Sequence, residues 1–303
     1  MRRYRAGVGA ALLAVMATVA TACGGSAGGQ VAGGMAAHHQ PARCTGVVDV
    51  LYAGSLVPFV QQTLGPRFAQ ATGCRLVGYP GGSIELASQA ASGVRRADVL
   101  VSASPAADVR LRDAGPASTR WYVSIARVPL VLGYNPHSRF AAALRSRPWY
   151  AVVTSPGFLL GRTDPALDPK GALSVDALRT AARETGRRGL DQLATQTTGV
   201  FPEETLLGRL AAGQLDAGFF YADEARDAGI PTVSLSPVSL STTFTVTILG
   251  GAPHPRAALA FVRFLLGAAG RRMLAGDGFA VLSPPHLHGS GYPAAVASMS
   301  LAS

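Results

Sequence analysis

The sequence predicts an α/β protein of two lobes, each a doubly wound sheet, joined by two crossovers and closing like a clamshell on a cleft. Three observations carry this. From Val47 onward, strand and helix patterns alternate, which builds right-handed parallel sheets. Two β-rich stretches, Tyr122–Tyr134 and Thr243–Leu249, stand where a chain would leave one sheet and return to it. Twice an apolar run ends in Gly-Ser just before a helical pattern, at Leu51-Tyr52-Ala53-Gly54-Ser55-Leu56 and at Tyr79-Pro80-Gly81-Gly82-Ser83. Ligands of open α/β sheets bind beyond the carboxyl ends of such strands.

Element by element, Val47–Tyr52 is the first strand, and Leu56–Thr72 a helix with Leu56, Val60, Leu64 and Phe68 on one face. Strand Arg75–Tyr79, helix Ser83–Ser92 stopped by Gly93, strand Ala97–Ser102 and helix Pro105–Ala114 complete a βαβαβα run. Pro129 interrupts Tyr122–Tyr134; the first half reads as a crossover and the second as the first strand of a new sheet. Ala151-Val152-Val153, the helix Asp168–Thr185, a helix around Glu203–Ala212 and strands Ala217–Tyr221 and Thr232–Leu235 belong to the second lobe. Thr243–Leu249 is the return crossing. Pro255–Leu274 is the strongest helix pattern, with Leu259, Val262, Leu265, Leu266 and Ala269 along one side and Pro255 near its start. Residues 46–121 plus 246–303 thus form lobe 1, and 122–245 lobe 2.

The front end points outside the cytoplasm. Arg2, Arg3 and Arg5 precede a short apolar run and Ala20-Thr21-Ala22-Cys23, the pattern of a signal peptide over residues 1–22. A cysteine at the cleavage point resembles a lipoprotein box, so Cys23 is the expected acylation site, anchoring the protein on the outer face of a bacterial cytoplasmic membrane. A Gly-rich tether over residues 23–45 would hold the body off the lipid. The leader carries three arginines and no acid, so the remaining 281 residues keep a formal charge of +7 rather than +10. Basic residues are scattered, without an aromatic-interleaved cluster, which argues against nucleic-acid binding. Cys44 and Cys74 each precede a strand; an even pair in an oxidising compartment suggests a disulfide, worth roughly 3 kcal/mol for a loop of about 30 residues.

Ser55 and Ser83 are each suited to hold an anion without contributing a charge. A hydroxyl and a helix N-terminus serve that end, and Gly54 and Gly82 let backbone approach a ligand. The same serines also serve as plain helix caps. Asp168-Pro169 is a third helix start, in Asp164-Pro165-Ala166-Leu167-Asp168-Pro169. A carboxylate there repels an oxyanion. It is therefore a structural cap, or it meets a protonated ligand, or it coordinates a metal centre such as molybdenum or tungsten. Tyr221 ends a strand as a candidate hydroxyl donor, and Glu224 is a candidate second carboxylate or a solvated first-turn acid.

These residues resemble a known family. Leu51–Leu56, Gly81-Gly82-Ser83-Ile84-Glu85, Ala97-Asp98-Val99-Leu100-Val101-Ser102-Ala103, Arg120-Trp121-Tyr122 and Gly161–Pro169, in this order, are similar to the molybdate/tungstate-binding proteins of ABC importers, nearest the archaeal tungstate binders. The resemblance implies a type II periplasmic-binding-protein fold and a non-enzymatic, monomeric receptor. It also implies an ABC permease with its ATPase as partner, and molybdate or tungstate as ligand with no cofactor. It implies ligand contacts from Ser55, Ser83 and Tyr221, and a carboxylate from Asp168 to the metal of the oxyanion. The family's second carboxylate falls at Phe220, leaving Glu224 as the substitute. Lys170-Gly171-Ala172-Leu173 departs from the family's Cys-Gly-Tyr-Arg. The rival readings are a receptor of the same architecture for sulfate, phosphate or ferric iron, and a secreted serine hydrolase. The Gly-x-Ser-x-Gly elbow of the last is absent around both serines.

Overall fold

The computed structural model describes residues 46–301. The signal peptide, Cys23, the tether and Cys44 lie outside the described residues. Strands β1 (Val47–Ala53), β2 (Arg75–Gly81) and β3 (Val99–Ser102) pair in parallel in the order β2-β1-β3. β1 and β3 are buried almost throughout, as expected of strands covered on both faces. Between them run α1 (Gly65–Thr72) and α2 (Ser83–Ala91), and α3 (Pro105–Arg110) follows β3.

β4 (Trp121–Tyr134) is one 14-residue strand spanning both sheets. Pro129 does not interrupt it, because β4 pairs with β8 (Ser241–Ile248) from Val123 to Pro129 and with β6 (Ala217–Tyr221) from Leu130 onward. The proline falls where the partner changes, so its missing N–H breaks no continuous ladder. β8 runs antiparallel between β3 and β4, as expected of the return crossing. The second sheet is mixed: β4 pairs antiparallel with β6 and β7 (Thr232–Val233), and β6 pairs in parallel with β5 (Leu160–Gly161). Parallel winding is therefore extensive only in β2-β1-β3.

Helices α4 (Ala141–Ser146), α5 (Trp149–Val152), α6 (Pro169–Thr185), α7 (Gly189–Thr195), α8 (Glu203–Ala211) and α9 (Ala222–Asp227) surround the second sheet. Ala151 and Val152 close the helix α5, with Val153 as its C-cap. The helix expected over Leu56–Thr72 is a 3-10 turn at Gly54–Leu56, a π-helical stretch at Phe59–Leu64, then α1. The helix expected over Pro255–Leu274 is two, α10 (Pro255–Leu266) and α11 (Ala268–Gly276), broken where Gly267 turns extended. Phe261 of α10 packs edge-on against Phe68 of α1, centroids 5.4 Å apart, placing α10 on the first sheet's side. β9 (Ala280–Gly289) pairs with β4, and α12 (Ala294–Leu301) closes the described chain. Among the described residues no helix is long and apolar enough to cross a membrane.

Candidate functional site

β1 delivers Gly54 and Ser55 into the 3-10 turn. Ser55 is buried, and its Oγ has no hydrogen-bond partner among the described residues. Gly54 is required by packing: a Cβ there would come within 2.5 Å of Glu203 Cγ on α8. β2 delivers Gly82 as the N-cap of α2 and Ser83 as its first residue. Ser83 Oγ accepts a hydrogen bond from the Ala103 N–H at 3.0 Å, which leaves its own proton free to donate.

The expectation that this corner keeps open amides for an anion needs correcting. The Ile84 and Glu85 N–H groups already donate to the Leu167 carbonyl, at 3.2 and 3.1 Å. That carbonyl belongs to the Asp-Pro loop, which reaches across to the end of β2. A Cβ on Gly82 would meet its oxygen at 2.6 Å. The loop therefore stoppers the α2 N-terminus, and the polar groups left to meet a ligand are mainly side chains.

Asp168 caps α6: its Oδ1 accepts from the Lys170 N–H at 2.7 Å, with Pro169 at the first turn. Burial first, and then the neighbouring Glu203, push its carboxyl up to about 7. Thr163, at the head of the same loop, is buried with Oγ1 unpartnered. Tyr221 ends β6, fully buried and edge-on to Phe244, with the Thr242 hydroxyl as the neighbour of its own. Burial, then the charge of Asp168, hold that phenol well above its ordinary value, so it stays a donor.

Two residues at the centre were not singled out as site residues from the sequence. Lys170 is completely buried, its Nζ 2.5 Å from Glu203 Oε1 and 3.0 and 2.8 Å from the two oxygens of Glu224. Burial would lower its pKa, but Glu203, Glu224 and Asp168 outweigh this and raise it. Burial likewise pushes Glu203 up, yet Lys170 pulls it below the ordinary carboxylate range. Glu224 rises well above that range through burial and the charge of Glu203. One ammonium thus keeps one carboxylate ionised, while Asp168 and Glu224 tend to hold protons. Glu224 Oε2 also accepts from the Tyr221 N–H at 3.3 Å, which turns that carboxyl toward Lys170 and the start of α9. The signal for Lys170 was present: it is the only lysine in a chain with 27 basic residues. Its ammonium is a compact point charge on a flexible stem, which here reaches both carboxylates. Glu203 had no signal beyond being a first-turn acid.

Two cavities of about 440 Å³ each flank Glu203. Gly54, Ser55 and Glu224 line one; Gly82, Thr163 and Asp168 line the other. Ser83 and Tyr221 are buried and line neither. Asp168, Tyr221 and Glu224 thus lie around Lys170 and Glu203, with Ser55 in the cavity on one side, while Ser83 is turned to the Ala103 N–H.

A cleft of hydroxyls and carboxyls at strand ends, between two sheets joined by long crossing strands, defines a ligand receptor of the clamshell class. The chain belongs to the family of bacterial extracellular solute-binding proteins, whose sequence model matches residues 48–280. That family binds solutes for transport.

A Haloferax volcanii protein named, provisionally, as an ABC transporter molybdenum-binding protein is 31% identical over 299 residues, covering 88% of this chain and 94% of that one. The molybdate/tungstate-binding protein WtpA of Thermococcus kodakarensis is 23% identical over 227 residues, 58% of this chain and 64% of its own length. Among solved structures, the sulfate-binding protein SubI of Mycobacterium tuberculosis superposes with a TM-score of 0.62 at 19% identity, covering 84% and 90% of the two chains. The periplasmic molybdate-binding protein of Azotobacter vinelandii gives 0.59 at 16% identity, covering 78% and 99%. These likenesses establish the type II fold.

Proposed function

We infer that the chain is the substrate-binding component of an ABC importer, that it captures molybdate or tungstate in the cleft around Glu203, and that it delivers the ion to a permease with its ATPase. The observation that carries this reading is the pair of buried hydroxyls lacking partners, on Ser55 and Thr163, beside carboxyls biased toward their protonated forms. Buried polar groups are ordinarily satisfied, so these donors call for an acceptor-rich guest. A tetrahedral oxyanion supplies one. The names of the Haloferax and Thermococcus relatives support the choice of metal oxyanion.

In this reading Ser55, Ser83, Thr163 and Tyr221 donate to the anion's oxygens, with Gly54 and Gly82 giving the backbone room. Asp168 meets it as an acid, donating its proton. Molybdate and tungstate oxygens are more basic than those of sulfate and accept such a bond better. Glu224 supports the site through Lys170 rather than touching the metal. Lys170 already fills the place between the carboxylates where a cationic cargo such as ferric iron would sit.

The same reading makes 46–121 plus 246–303 and 122–245 the two lobes of a monomeric receptor. Residues 1–22 are its signal peptide and Cys23 its lipid anchor on the outer face of the cytoplasmic membrane. Pairing of Cys44 with Cys74 is supported by the parallel register Val47↔Arg75 and by the Arg75 N–H bonding to the Gly46 carbonyl, which set the two chain entries side by side. Thermal denaturation with a panel of anions tests the function. Molybdate and tungstate should raise the melting temperature, because a ligand bound only by the folded state stabilises it. Stabilisation by sulfate, phosphate or ferric citrate alone would reassign the ligand.

A further inference from the structure

A second cluster of ligand-type side chains lies at the opposite end of the first sheet. Asp49 stands near the start of β1, Asp98 just before β3, and His254 just before α10. About 13 Å of strand separates Asp49 from Ala53 at the ligand-facing end, so this cluster is distinct from the cleft. One oxygen or nitrogen from each of the three residues lies within 4.8 Å of the others. His254 Nδ1 is 3.0 Å from Asp98 Oδ2 and 3.6 Å from Asp49 Oδ2.

The geometry points to a binding site for a divalent first-row cation of the zinc class, held by Asp49, Asp98 and His254. Four features argue for it. The donor set, one imidazole and two carboxylates, is one that zinc accepts. With ion–ligand distances of about 2.05 Å, separations of 3.0 and 3.6 Å subtend about 95° and about 120° at the ion, values that bracket the tetrahedral angle.

The buried carboxylate is already aimed. Asp98 has no exposed surface; its Oδ1 accepts the His254 N–H at 2.5 Å and its Oδ2 the Asp49 N–H at 2.7 Å. Such outer contacts fix a ligand's orientation before the ion arrives. Charge favours it as well. Among the described residues no lysine or arginine pairs with either carboxylate, and His254 is the sole basic partner.

The Asp49 and His254 side chains are 33% and 41% exposed, so an ion can enter, waters can complete its shell, and Asp49 can swing to close the set. To bind, Nδ1 presents its lone pair to the ion, which the Nε2–H tautomer of the neutral ring supplies. The bound ion would staple β1, β3 and α10, which sequence separates by up to 205 residues, from Asp49 to His254.

The test is calorimetric titration of the purified chain with zinc chloride after chelator treatment, on wild type, Asp49→Asn and His254→Ala. Wild type should bind zinc with a melting temperature that rises on addition. Each variant should lose at least tenfold in affinity at this site and most of that rise. Asp49→Asn preserves shape and the backbone contact to Asp98, and its metal-free melting temperature checks that the fold is intact. Zinc isotherms and melting shifts that are the same in wild type and both variants, with zinc taken by other histidines or not at all, would overturn the proposal.

Discussion

Lys170 has no exposed surface and two carboxylates within 3.0 Å. Lys170→Met would leave Glu203 and Glu224 facing each other without a counter-charge, and breaking a buried pair in this way costs about 3–5 kcal/mol. Urea denaturation of the ligand-free protein should show a loss of that size, and an unchanged midpoint would mean the lysine is not the keystone the geometry makes it. Asp168 gives a different signature. Its carboxyl is pushed up to about 7, so on the proposed contact anion affinity should be greatest with the proton present and fall by up to about tenfold per unit of pH above that value. Asp168→Asn keeps the cap on α6, since Asn caps about as well. It should therefore flatten the tungstate affinity profile between pH 6 and pH 9 with little change in ligand-free stability, both read by titration and melting. A slope that survives in Asp168→Asn would remove Asp168 from contact with the ion. At this scale the sequence singled out Ser55, Ser83, Asp168, Tyr221 and Glu224 as candidates, because each sits at an end of an element where pattern changes are sharp. It did not single out Glu203, whose place beside Gly54 and Lys170 is set by tertiary packing.

Among the elements, the Asp-Pro loop and the start of α2 form one closed joint through the Leu167 carbonyl. Gly82→Ala would drive a methyl to 2.6 Å from that oxygen, a backbone atom that cannot swing aside. Because the clash is confined to the joint between the Asp-Pro loop and the start of α2, which on the proposed reading closes over the ligand, tungstate affinity should drop at least tenfold while the ligand-free melting temperature stays near wild type. Equal losses of stability and affinity would place the effect in folding instead. Strand and helix identities along β1, α2, β3, α6, β6 and β8 were legible because apolar periodicity and caps agree there. The missed breaks have physical reasons. The helical pattern runs on across Gly267, yet the chain turns extended there and Gly270 packs against the Leu265 carbonyl, where a Cβ would collide with the backbone. β9 carries Pro284 and Pro285 and gives no strand signal; its pairing with β4 is a tertiary effect.

For the whole molecule, burial pushes Asp108, Asp168 and Asp223 each from 3.8 to about 7. Between those values the folded chain holds more protons than the unfolded chain, so stability falls as pH rises across that window and levels off above it. Glu203 alone among the cleft carboxyls is shifted downward and opposes the trend. Ligand-free melting temperatures should therefore decline from about pH 4.5 to about pH 7.5; a steady rise would contradict the protonated burial of these acids. The two-sheet architecture was readable from strand–helix alternation and the two crossing strands. The mixed order of the second sheet was not, since short strands such as β5 and β7 carry no periodicity of their own. The central claim is that this cleft selects a metal oxyanion. Calorimetric titration of the ligand-free chain at pH 6.5 with molybdate, tungstate, sulfate and phosphate tests it most directly. Molybdate and tungstate should bind one per chain and at least a hundredfold more tightly than sulfate, a difference of about 2.7 kcal/mol. Sulfate or phosphate binding as tight as tungstate, or no binding of either metal oxyanion, would contradict it.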